Sequence, residues 1–173
     1  MKYLQQGGFQ HKAPMRLTLG LSLAMLAGLW LTGFAMYFQR MGLSPASVRD
    51  YYLGSPDGFS NPRSYASMLE TAHAHLPMMA LVLLLLTHLV IFAPFSDRAK
   101  ARIAWLAFGS AILEESSGWL VRFVDPAFAP LRVAAFLLFQ GVLGGLIAGL
   151  ALFLFRAARD DKPHPHHHRR AHH

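Results

Sequence analysis

The sequence predicts an all-α integral membrane protein, a four-helix bundle in which helices adjacent in the chain are antiparallel neighbours. Hydrophobic residues make up 54% of the 173-residue chain and charged residues only 14%. The apolar residues fall in long blocks, as in membrane-spanning segments, rather than alternating with polar residues. Four blocks are long enough to cross about 30 Å of hydrocarbon, namely 17–38, 71–93, 103–124 and 133–155.

The basic residues predict the orientation of the chain. Eleven of the 16 lysines and arginines lie in the N-terminal segment, in the loop after the second block and in the C-terminal tail. Because cytoplasmic loops are enriched in Lys and Arg, we expect both termini to be cytoplasmic and the membrane to be a bacterial inner (cytoplasmic) membrane. This topology and the anionic lipid surface account for the net charge of +7, so we expect no nucleic-acid partner.

The blocks imply a single membrane domain over residues 1–158. The remaining residues, 159–173, contain six of the ten histidines and are expected to form a disordered cytoplasmic tail. Between the first two blocks, residues 39–67 form the one substantial extracytoplasmic loop.

The extracytoplasmic loop contains signals for a short helix. Ser44 followed by Pro45 is a helix-start signal, and Gly54 is a plausible stop, so we expect an interfacial helix between them. This helix would hold Tyr51 and Tyr52 at the level of the lipid headgroups.

Small residues recur at four-residue spacing in the first and fourth blocks. Gly20 and Gly28 belong to one such ladder, and Gly141, Gly145 and Gly149 to the other. Both ladders allow close backbone contact, either inside the bundle or with a second subunit. The expected assembly is therefore a homodimer or a subunit of a larger membrane complex.

The second block carries most of the ionisable candidates for a functional site. On a helix, Glu70, His73 and His88 fall within about 60° of one another, while His75 points to the far side. Ionisable groups are costly in lipid and mark functional sites. His73 and His88 would lie about 22 Å apart along the helix axis, which suits two sites near opposite membrane faces.

The third block holds a carboxylate pair, Glu114 and Glu115, near its centre. Carboxylates at that depth require a proton, a cation or a metal ion as partner. Ser110, Ser117 and Gly118 share a helix face with Glu114. This polar stripe is expected to face the bundle interior rather than lipid.

A metal site is one interpretation of these residues. Glu70 and His73 have the i, i+3 spacing that di-iron helical bundles use. The other predicted spanning blocks contain no histidine, so a second motif of that kind is missing. A mononuclear iron or copper site formed by Glu70, His73 and either Glu114 or Glu115 is the metal-binding alternative.

Haem is the other interpretation, because a helix with histidines near both membrane faces resembles the small membrane-bound b-type cytochromes. This resemblance implies a four-helix bundle that binds haem b through His73 and His88. His75 is a further candidate ligand outside the resemblance. Since no other block has a histidine, a second copy, a methionine or another subunit would supply the remaining ligand, or the iron would be five-coordinate.

These observations predict a haem- or metal-binding inner-membrane subunit of an electron-transfer or respiratory assembly. The alternatives are a non-catalytic accessory subunit that stabilises a larger membrane complex, or a small proton-coupled transporter. The sequence has no nucleotide-binding loop or Rossmann fingerprint. It also has no cysteine, which excludes disulfides and thiolate metal sites.

Overall fold

The computed structural model describes residues 12–55 and 60–160, and its regular elements there are helical apart from one isolated bridge between Ser55 and Ser60. The long elements are α1 (Ala13–Arg40), α2 (Pro45–Leu53), α3 (Tyr65–Ile91), α4 (Asp97–Phe123) and α5 (Ala129–Asp160), with a 3-10 helix at Pro126–Phe128. The predicted all-α class is confirmed. The predicted tail, 159–173, lies almost entirely outside the described residues.

Three helices in the described part of the chain are long and apolar enough to cross a membrane. They are α1, α3 and the stretch Pro126–Arg156, which contains most of α5. The chain is therefore a multi-pass membrane protein whose apolar helix faces contact lipid. The fourth predicted segment corresponds to α4, which has 27 residues. It is not among the three, because the Glu114–Glu115 pair and several small polar residues lower its hydropathy.

Serine side chains begin three of the five helices. The hydroxyls of Ser44, Ser64 and Ser96 each accept a hydrogen bond from the backbone N–H three residues further on, at 3.2 to 3.3 Å. Each bond satisfies a donor that the first helical turn leaves without a partner. Gly54 ends α2 with a φ of 83°, a conformation that L side chains rarely adopt.

The long helices do not all pack on their neighbours in the chain. α4 packs along α5 and α3 packs on α4, whereas α1 packs chiefly on α5. Trp30 of α1 fixes that contact, because its Nε1 donates to the Gln140 carbonyl at 2.9 Å. Gly144 makes the approach possible, since a Cβ there would lie 2.9 Å from Trp30 Cζ2. A crevice is left between α1 and α3.

The interior contains two groups of buried residues. One is aliphatic and joins the four long helices, with Leu23, Leu83, Ala107 and Leu146 as representatives. The other lies at the end of the molecule where α2 packs and is rich in aromatic and sulfur-containing residues: Tyr37, Met41, Tyr52, Met68 and Phe136. In this second group Tyr37 stacks on Phe136 with 3.6 Å between ring centroids. The candidate site borders this group.

Candidate functional site

A buried arginine, Arg132 in the first turn of α5, is the centre of the site. It is only 9% exposed. Its Nη1 donates to Glu114 Oε1 of α4 at 2.6 Å, and its Nε donates to the Tyr52 hydroxyl of α2 at 3.1 Å. The guanidinium also lies over the Tyr37 ring at 5.7 Å. Because charge-assisted bonds of this kind are strong, one side chain joins α2, α4 and α5.

Tyr52 enters the site because α4 has a glycine opposite it. A Cβ on Gly118 would lie 2.5 Å from the Tyr52 Oη and 2.9 Å from its Cζ. Tyr52 is 7% exposed, so its side chain packs inside the protein, while the position of α2 at the level of the lipid headgroups stays a prediction. The sequence of α2 is polar and only nine residues long, so it gives little indication of which face packs inward.

The Tyr52 hydroxyl is protonated at neutral pH. Burial raises the pKa of the phenol, although the nearby Arg132 opposes the shift.

A second polar contact joins α3 and α4 beside the first. His75 Nδ1 lies 3.4 Å from Glu115 Oε2, and the Glu115 side chain is 14% exposed. His75, Glu115 and the Arg132–Glu114 pair line a polar cavity of about 70 Å³. We call these four residues together with Tyr52 the polar cluster.

The polar cluster adjoins the space between α1 and α3. This α1–α3 crevice has a volume of about 220 Å³. His75, Glu114 and Arg132 line the end near α2, and Trp30, Met79 and Gln140 line the part further along the helices. The crevice therefore combines ionisable groups at one end with apolar and aromatic walls, as small-molecule sites do.

The residues of α3 proposed from the sequence divide between two faces. His75 lies against Glu115 at the polar cluster, with about half of its side chain exposed. Glu70, His73 and His88 are exposed on the other face, where His88 contacts Phe92 with 5.5 Å between ring centroids. The helical wheel correctly separates His75 from the other three. In the structure, however, it is His75 that lies against α4, and not the helix face that carries Glu70, His73 and His88.

The proposed metal ligands are not brought together by this arrangement. Glu114 and Glu115 are engaged by Arg132 and His75, while Glu70 and His73 are exposed. Within residues 12–55 and 60–160, no group of three or more His, Cys, Asp or Glu side chains could hold a metal ion. A metal site that uses these residues stays a prediction.

The polar stripe of α4 faces the interior, as the sequence predicts. Ser110 and Ser117 are 3% and 0% exposed, and Gly118 is also buried. Arg132 was not predicted as a site residue, because the hydrophobic block begins one residue later and leaves it in an outer loop. The available signal was Pro130, a residue typical of a first helical turn, which stands two residues before Arg132.

Comparison with known proteins places the chain in one family. A family described as a transmembrane helical domain, Aq_1264_TM, matches residues 42–162, more than half of the chain. The chain belongs to this family of membrane-embedded helical domains. No curated protein and no solved structure matches it. The matched region contains α2 to α5 and therefore all five residues of the polar cluster.

Proposed function

We propose that the protein is a multi-pass membrane subunit that binds a small amphipathic ligand in the α1–α3 crevice, with the polar part of the ligand at the polar cluster. The observation that carries this proposal is the position of His75, Glu114 and Arg132 at one end of a crevice whose other lining residues are mainly apolar. Ionisable groups inside membrane helices are costly and mark functional sites. A ligand from the bilayer reaches such a crevice without crossing water.

The charges near this end of the crevice favour a ligand with a polar head. Arg40 lines the crevice together with Arg132 and His75, whereas Glu114 is already held by Arg132 at 2.6 Å. Cationic and hydrogen-bonding groups are thus available to a carbonyl, hydroxyl or acidic group on the ligand. Leu143 and Met79 provide apolar contact for the rest of the molecule.

Filling the crevice should remove the ligand. A Cβ at Gly33 would lie 3.1 Å from Gln140 Nε2, so the side chain introduced by Gly33→Leu occupies the crevice. We expect a small molecule that copurifies with the wild-type protein to be lost from this variant. The measurement is mass spectrometry of organic extracts from protein purified in mild detergent.

Gly28→Leu is the matched control, because Gly28 lies on the same helix and a Cβ added there would have nothing within 4 Å. This variant should retain the molecule. Extracts with the same small-molecule content from wild type and both variants would contradict the proposal.

We further propose that α4 is a fourth membrane helix and that both termini are cytoplasmic. The position of α4 between α3 and α5 and the pairing of Glu114 with Arg132 support this arrangement.

Cysteine labelling tests the orientation. The chain has no cysteine, so single-cysteine variants report directly on which side of the membrane a residue lies. In spheroplasts, a membrane-impermeant maleimide should label Asn61→Cys and leave Ala101→Cys unlabelled until the membrane is permeabilised. The opposite labelling pattern would rule out this orientation.

A second candidate function is haem binding on the exposed face of α3, within an electron-transfer or respiratory assembly. It is favoured by the exposure of both His73 and His88 on one helix face, where a second copy or another subunit has access to them. We expect a reduced α-band in the absorption spectrum of the purified protein and its loss in His73→Ala. The matched variant His75→Ala should keep the band. A colourless preparation would remove this candidate.

A further inference from the structure

Gln140 is a buried polar side chain in the wall of the α1–α3 crevice. It is 7% exposed. Its Oε1 is the one fully buried side-chain nitrogen or oxygen atom in the described part of the chain that has no hydrogen-bond partner. An unpaired buried acceptor lowers stability, and residues 12–55 and 60–160 do not supply the donor that this amide oxygen lacks.

The wall around Gln140 favours an aromatic ring. Trp30, Phe136 and Phe139 line the crevice together with Met36 and Met79. Aromatic rings prefer edge-to-face and offset contacts with one another, and thioether sulfur makes favourable contacts with ring edges. The crevice therefore suits an aromatic ring better than it suits a flexible chain.

The size of the crevice limits the ligand to a small head group. Its volume of about 220 Å³ is below the roughly 300–1,000 Å³ of pockets that enclose drug-sized ligands. One ring fits, and an attached hydrocarbon tail would remain in the lipid.

From these observations we propose that the crevice binds a lipid-soluble phenol and that the Gln140 amide, which lines the crevice, turns so that Oε1 accepts a hydrogen bond from the phenol hydroxyl. Membrane quinols have this chemistry, since they carry hydroxyls on one ring with an apolar tail, and their oxidised quinones lack the donor. The inference rests on the proposed function and specifies the class of ligand that the crevice accepts.

Trp30 can report binding, because it lines the crevice and its indole is hydrogen-bonded to the Gln140 backbone. The chain has three tryptophans, so Trp105→Phe with Trp119→Phe leaves Trp30 as the single fluorophore. The probes are para-dodecylphenol, para-dodecylanisole and dodecanol, added to the full chain in detergent. The anisole lacks the donor, and dodecanol lacks the ring. A decyl benzoquinol and its quinone extend the series to the redox pair.

Dodecanol keeps a hydroxyl donor but lacks the ring, so we expect it to bind more weakly than the phenol. We expect the phenol and the quinol to bind about tenfold more tightly than the anisole and the quinone, as one buried hydrogen bond implies. Gln140→Leu should abolish this preference. It should also fold as well as the wild type, because it removes an unpaired polar group. Gln39→Leu, at an exposed glutamine on α1, is the matched control and should keep the preference.

Equal binding of phenol and anisole, or a preference that survives in Gln140→Leu, would overturn the phenol assignment. Absence of any Trp30 response to all five probes would overturn it as well. The proposed function is judged separately by the ligand lost from Gly33→Leu, so the two failures are distinguishable.

Discussion

Arg132→Met is expected to lower the free energy of unfolding by about 3–5 kcal/mol, the cost of leaving a buried charge without its partner. The side chains of Arg132 and Glu114 are 10% and 14% exposed, and their closest atoms are 2.6 Å apart. In the variant, Glu114 must take up a proton or draw in water, and Tyr52 loses its donor. Reversible unfolding in mixed detergent micelles would measure the change.

The double variant Arg132→Met with Glu114→Leu separates the charge from the packing. Replacing both members of a buried ion pair by apolar side chains is often neutral, so most of the lost stability should return. Arg49→Met, at an exposed arginine on α2, should have little effect. A double variant no more stable than Arg132→Met alone would show that the ion pair is not the cause.

Gly118→Val is expected to destabilise the protein by about 1–3 kcal/mol, the usual cost of overpacking a tight interior. A Cβ at this position would lie 2.5 Å from the Tyr52 Oη, so the ring must move and its hydrogen bond with Arg132 is lost. Tyr52 should become accessible to solvent as α2 shifts. Thermal unfolding together with iodination of Tyr52 would detect both effects.

Gly109→Val provides the control on the same helix, because a Cβ at Gly109 has nothing within 4 Å. Gly109→Val changes the helix propensity by the same amount as Gly118→Val, but its added Cβ contacts no neighbouring residue. Equal loss of stability in the two variants would mean that helix propensity, rather than contact with Tyr52, limits position 118.

The apolar blocks were sufficient to predict the helical class and the membrane location. They could not show which face of α3 packs on another helix, because a membrane-spanning helix is apolar on nearly every side and its hydrophobic pattern marks no interior. The pattern therefore does not show whether the face of His73 or the face of His75 packs on another helix. Only the position of Glu115 on α4 brings His75, the second of them, into contact with a neighbouring helix.

Arg132 shows a different limit of the sequence. The hydropathy pattern starts the fourth apolar block after Arg132, because a charged residue marks the boundary of an apolar segment. The structure continues the helix through it, since Glu114 and Tyr52 satisfy the guanidinium. These partners are 18 and 80 residues away in the chain, and pairing at such separations is not visible in local patterns. Gln140 was missed for a different reason, because a single amide inside an apolar block does not show whether it is buried without a partner.

The separation of the partners of Arg132 also determines when α2 can reach its final place. The chain is synthesised from its N-terminus, so Tyr52 is complete 80 residues before the arginine that binds its hydroxyl. Glu114 precedes that arginine by 18 residues. Until Arg132 leaves the ribosome, the Tyr52 hydroxyl lacks its donor and Glu114 lacks its ion-pair partner. Assembly of this end of the protein is therefore a late event, governed by the arrival of a single side chain.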